Sequence, residues 1–117
     1  MANNIAFQPM GKTVKLTANA STPTNGNVTA DSPSNQYCLV NHSSQPAYVW
    51  LSPSSNPINV ALPTGDNSNA HYAILVIPNS RVVITGPQCS NNKTVILSVI
   101  SESDGPEVYC TPGEGLS

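Results

Sequence analysis

The chain has 117 residues, only four of them Lys or Arg and six Asp or Glu, for a net charge of −2. That length suits a single domain with a core of its own. The cations Lys12, Lys15, Arg81 and Lys93 are scattered, which excludes the basic footprint of a nucleic-acid binder and a polybasic membrane patch.

In chain order, residues 1–5 carry neither the basic start nor the apolar run of a secretory signal, and no segment approaches the roughly 20 apolar residues of a membrane span. Synthesis in a cytoplasm is expected. Residues 1–11 read as an N-terminal arm or first edge strand, with Ile5, Phe7, Pro9 and Met10 among its apolar residues. Residues 12–117 follow as one domain. Within it, residues 13–17 alternate as a strand does. Residues 18–36 are polar and low in complexity, and hold the one Asn-Gly pair, Asn25-Gly26. They suit a surface loop or a hairpin tip.

Residues 37–41 and 47–52 are β-rich and are joined by residues 42–46, a segment of hairpin length and turn chemistry. Residues 57–62 suit a short strand, followed by a polar loop. Residues 72–77 form a continuous apolar run that predicts burial on both faces. Pro78-Asn79-Ser80 breaks it and residues 81–85 resume. Residues 94–100 alternate, Ser103-Asp104-Gly105-Pro106 turns the chain, and residues 107–111 make the last strand. Eleven prolines and the lack of any 3.6-residue apolar period leave no helix. About eight short strands predict an all-β, single-domain antiparallel β-sandwich of jelly-roll or Ig-like type.

Residues that could carry chemistry are few. Ser, Thr and Asn number 38, but no nucleophile elbow is present, and His42 beside Ser43 reads as a solvated turn. Cys38, Cys89 and Cys110 have no C-x-x-C spacing and read as small apolar residues. A disulfide between two of them, or a metal site with His42 or His71, is the alternative. The N-x-S/T sequons at Asn19, Asn27, Asn41 and Asn92 read as products of composition. Glu102, Asp104, Glu107 and Glu114 form a solvated acidic face, with a calcium site as the alternative. Residues 111–115 lack the Lys and helix start of a phosphate loop. They read as a tail that leaves the sheet to lie against a neighbour, which makes Glu114 a candidate contact. Tyr48 and Trp50, two apart, share a strand face. Exposed, that face would serve a protein or sugar partner; buried, Trp50 would fill the core. No catalytic residue, cofactor or bound metal is expected, and the chain is not expected to be an enzyme.

The order of features resembles small all-β virion accessory proteins of tailed bacteriophages. The residues concerned are Tyr37-Cys38-Leu39-Val40-Asn41-His42, the Pro-Ala-Tyr-Val-Trp-Leu-Ser strand at 46–52, Ile77-Pro78 with Gly86, and Pro-Gly-Glu-Gly at 112–115. Over roughly residues 12–115 the resemblance implies a capsid decoration or cement protein, made in the host cytoplasm and resident in the virion. The partner it implies is the major capsid protein or another virion protein, with self-association into a homo-oligomer also open. It carries over no catalytic residue. The candidate partner contacts are Ile5, Phe7, Met10, Tyr48, Trp50 and Glu114. A carbohydrate- or receptor-binding sandwich on a tail, spike or head fibre is the alternative function.

Overall fold

Period-two alternation of Val, Ile, Leu and Tyr with Ser, Thr and Asn builds strands with one face in a core and one outside it. The computed structural model describes residues 7–64 and 72–114. They hold nine strands: β1 (Gln8–Pro9), β2 (Val14–Thr17), β3 (Thr24–Val28), β4 (Ser34–Asn41), β5 (Ala47–Pro53), β6 (Ile74–Val76), β7 (Ser80–Cys89), β8 (Val95–Ser101) and β9 (Glu107–Glu114). No helix occurs among the described residues.

One sheet runs β2–β9–β4–β7, with β1 also on β9, and the other runs β3–β8–β5–β6. Every pair is antiparallel. The strands nest as β2 with β9, β3 with β8, β4 with β7 and β5 with β6. That is a long hairpin rolled into two layers, the jelly roll rather than the Ig arrangement. The expected all-β sandwich is therefore present. Its core lies between the sheets, with Ala47, Val49 and Leu51 of β5, Val95, Leu97 and Val99 of β8, Tyr37 and Leu39 of β4, and Val108 and Cys110 of β9 all buried. Each such aliphatic side chain contributes about 1.5–3 kcal/mol on burial.

Several local expectations are corrected. Residues 42–46 close no hairpin: β4 pairs with β7 and β9, β5 with β6 and β8, so the chain crosses between sheets there. Buried Asn41 holds the crossing, its Nδ2 donating to the carbonyls of Gln45 at 2.8 Å and Val76 at 3.0 Å. Asn25-Gly26 lies inside β3, not at a hairpin tip. Gly26 leaves room there for Leu16 of β2, whose terminal methyl sits 2.8 Å from where a Cβ would fall. That contact closes one side of the sandwich.

Residues 57–62 form no strand. They lie over the outer face of the smaller sheet, where the Ile58 and Val60 N–H groups donate to the hydroxyls of Ser52 (3.0 Å) and Ser98 (3.1 Å). Side-chain acceptors replace a strand ladder, and this overlay is why outward-facing Ser52 and Ser98 are buried. Residues 111–114 remain in β9, against β1 and β4, rather than leaving the sheet.

Candidate interaction surface

The two long sides of the sandwich differ. Leu16 packs across the β2–β3 side, whereas among the described residues β6 and β7 are edge strands with no further strand paired to them. A turn at Pro78-Asn79 carries the chain directly from one sheet to the other. Asn79 takes a left-handed φ of 51°, which Asn tolerates better than other side chains. Its N–H donates to the Ser43 carbonyl (3.1 Å), and Ser80 Oγ donates to the Ile77 carbonyl (2.6 Å).

Tyr72, Leu75, Ile77, Val82 and Val83 are the exposed large hydrophobics of the described residues, at 36–58% exposure, and all lie within this short stretch. The expected burial of residues 72–77 on both faces is thus corrected. Only three of them form a strand, at a sheet edge with no further strand beyond it among the described residues, and Val76 alone of that strand is fully buried. Leu75 stands opposite Tyr48 in register. The Trp50 and Tyr72 rings meet at 5.2 Å, inclined by 55°. Beside them an open groove of about 270 Å³ runs between Trp50, Leu51, Ile74, Ile84 and Pro87. Arg81 is the one charged residue of the stretch from 72 to 85. On the outer face of the larger sheet, Val83 continues into half-buried Cys38 and then Thr111.

Tyr48 and Trp50 are brought together here, on the outward face of β5 while its alternate residues enter the core. Trp50 is half-buried and does not fill the sandwich interior. Phe7, Met10 and Glu114 sit at the opposite edge and do not join them. The Phe7 ring lies against Gly113, and the Met10 N–H donates to the Pro112 carbonyl (2.9 Å) while its carbonyl accepts from Asp31 N–H (2.7 Å). Glu114 faces Gln8 across the β1–β9 ladder. The described part of the arm is stitched to its own fold. Ile5 and His71 lie outside the described residues. Leu75, Ile77, Val82 and Val83 were missed as contacts. The signal for them was Pro78 at the end of the run, since Pro in or beside a strand marks an edge.

Cys38, Cys89 and Cys110 are free thiols, two buried and one half-buried. Burial, aided by Cys89 and Cys38, pushes the Cys110 thiol up to about 12. Burial and a hydrogen bond with Cys89 likewise raise the Tyr37 hydroxyl, which donates to the Pro87 carbonyl. A nucleophilic thiol needs the opposite shift, so Cys110 is a packing group. No three His, Cys, Asp or Glu side chains converge on a metal position among the described residues. The Asp104 carboxylate instead accepts the Ala20 N–H at 2.7 Å, pinning the β8–β9 turn. A polar cleft of about 460 Å³ lies at one end of the sandwich, lined by Ser54, Gln88, Asn92 and Lys93 among others, with Lys93 as its single charge.

What the arrangement can do is bind: an apolar, nearly uncharged strip flanked by neutral hydrogen-bonding groups. Comparison with protein-family models, with curated proteins and with solved structures gives no match.

Proposed function

We propose that this chain is a structural virion protein, a capsid decoration or cement protein that stabilises the head by binding across capsomers. The observation that carries the proposal is the exposed apolar strip Tyr72, Leu75 and Ile77, continuing over the turn to Val82 and Val83, on a domain whose described His, Cys, Asp and Glu side chains form no cluster of three. Exposed apolar side chains gathered at one edge of a domain mark an interaction site. The Ser-, Thr- and Asn-rich surroundings can add hydrogen bonds without desolvating ions, which costs several kcal/mol per ion. Stable interfaces bury about 800 Å² per partner, and repetition over a shell multiplies modest affinity. Jelly rolls serve capsids, lectins and cupins alike. The fold agrees with the proposal, and the sequence resemblance to phage virion proteins directs it toward the major capsid protein or another virion protein as partner.

The test is co-sedimentation of the purified chain with virus particles. Wild-type protein should stay bound in roughly 1 M salt, where the Debye length is near 3 Å. Leu75→Lys and Ile77→Lys, at exposed positions, should stay folded and lose binding. Release by salt, or binding unchanged in both variants, would overturn the proposal.

The Trp50–Tyr72 pair beside the groove favours a second reading, a carbohydrate- or receptor-binding module on a tail, spike or head fibre, since aromatic faces stack on sugar rings. Trp50 is the sole tryptophan, so oligosaccharide titration of its emission decides: saturable quenching supports the module, and no change removes it.

A further inference from the structure

A strand at a sheet edge carries a row of unpaired N–H and C=O groups, and proteins ordinarily blunt such edges with shortness, Lys, Pro or a covering element. Three of the four edge regions here are blunted. The β1–β2 edge consists of strands of two and four residues, with Lys15 inside β2. β3 is Thr-Asn-Gly-Asn-Val, poor in β-formers, with Leu16 packed across it. β6 has three residues and is stopped by Pro78. β7 is different. It runs for ten residues, pairs with β4 alone, and centres on Val82-Val83-Ile84-Thr85. Val82 and Val83, neighbours on opposite faces, are 36% and 39% exposed.

We propose that β7 pairs antiparallel with β7 of a second copy, extending the larger sheet across a twofold axis through Val83. The strand's own pattern selects this occupant. Its pairing with β4 is regular from Ser80 to Thr85 and shifts register between Ser34 and Gln36, opposite the β7 segment beyond Thr85. Pro87, with no N–H to give, ends the usable edge on that side, and the Pro78-Asn79 turn ends it on the other. The free window between these stops is centred on Val83. A twofold axis perpendicular to the sheet keeps the faces in common and sets Val83 opposite Val83. Val82 then faces Ile84 on the core side, and Arg81 faces Thr85 on the outer side. Apolar residues thus meet apolar ones, and the strand's one charge meets a neutral hydroxyl instead of its own copy, where like charges would destabilise the pair. With a net charge of −2 on each chain, long-range repulsion between copies is slight.

Dimerisation would take up Val82 and Val83 of the exposed strip and leave Tyr72, Leu75 and Ile77 for a virion partner; a dimer that binds no particle would sink the virion proposal and leave this one standing. Sedimentation equilibrium of the full chain should give twice the 12.2 kDa chain mass. Val83→Lys places two ammonium groups face to face on the axis and should weaken the dimer at least ~10-fold. Val83→Thr, β-branched and neutral, should keep it. Far-UV circular dichroism should be the same in all three. As a second readout, amide exchange at residues 82–85 should slow as protein concentration rises. A wild-type chain that is monomeric up to roughly 1 mM, the weak end of specific association, would overturn the proposal. So would a dimer that Val83→Lys leaves intact, or concentration-independent exchange at 82–85.

Discussion

Replacing Asn41 with Ala tests how the chain crosses between sheets. Asn41 is fully buried, with Nδ2 donating to the Gln45 carbonyl (2.8 Å) and the Val76 carbonyl (3.0 Å), and Oδ1 accepting from Ser43 Oγ (2.7 Å). The three losses are unequal. Ser43 Oγ lies 2.9 Å from the Gln45 carbonyl, so those two groups can satisfy each other once the amide is gone. The Val76 carbonyl loses its side-chain donor, and a small cavity is left. At about 1 kcal/mol per net hydrogen bond, with a further penalty for a buried orphan and a void, the cost is about 2–3 kcal/mol. For a domain of this size the melting temperature should fall by roughly 8–15 °C. Urea unfolding with an unchanged m-value is the assay. Asn59→Ala is the control: its bond from Asn25 (2.9 Å) is exposed, and its loss should cost under about 0.5 kcal/mol. An Asn41→Ala cost below about 1 kcal/mol would refute the clamp and leave the crossing to apolar packing alone.

Three further outcomes are expected. Gly113→Ala would drive a Cβ into the Gln8 carbonyl and the Phe7 ring; β1 should detach, with amide protection lost at residues 8–10 while β4 and β8 keep theirs, and protection retained at 8–10 would contradict this. Cys110, raised from 9.0 to about 12, and Tyr37, raised from 10.0, are held neutral by the fold. Their contribution is therefore complete below pH 9 and is lost as pH rises above it, by up to about 1.4 kcal/mol per pH unit for each group. Urea midpoints measured from pH 8 upward should fall, and a Cys110→Ala variant should fall less steeply. Lys15→Met removes the half-exposed pair with Glu107 at 3.7 Å and should change stability by less than about 1 kcal/mol; a larger loss in a double-mutant cycle would contradict that.

Strands β4, β5, β8 and β9 were legible in the sequence because residues packed against a common core must alternate, and 37–41, 47–52, 94–100 and 107–111 do so. Which sheet each strand joins was not. Residues 42–46 have the same turn chemistry whether the chain doubles back or crosses, and the deciding contact, Asn41 to Val76, spans 35 positions. Asn25-Gly26 shows tertiary packing overriding local preference: the glycine makes room for Leu16 instead of making a turn. The surface was half legible. Spacing put Tyr48 and Trp50 on one face, but only topology makes that face the outer one and brings Leu75 and Tyr72 against it. A continuous apolar run signals burial when strands flank it on both sides, and β6 has a neighbour on one side only.

The proposed place of this domain on the outside of a virus particle can be read by mass spectrometry of particles purified from the chain's own source, with electron microscopy of the same particles. The chain should be present in many copies per particle, with density for the jelly roll over capsomer joints and the strip from Tyr72 to Val83 buried in contacts. Its absence from the particles, or density that leaves this strip facing solvent, would overturn the proposed virion role.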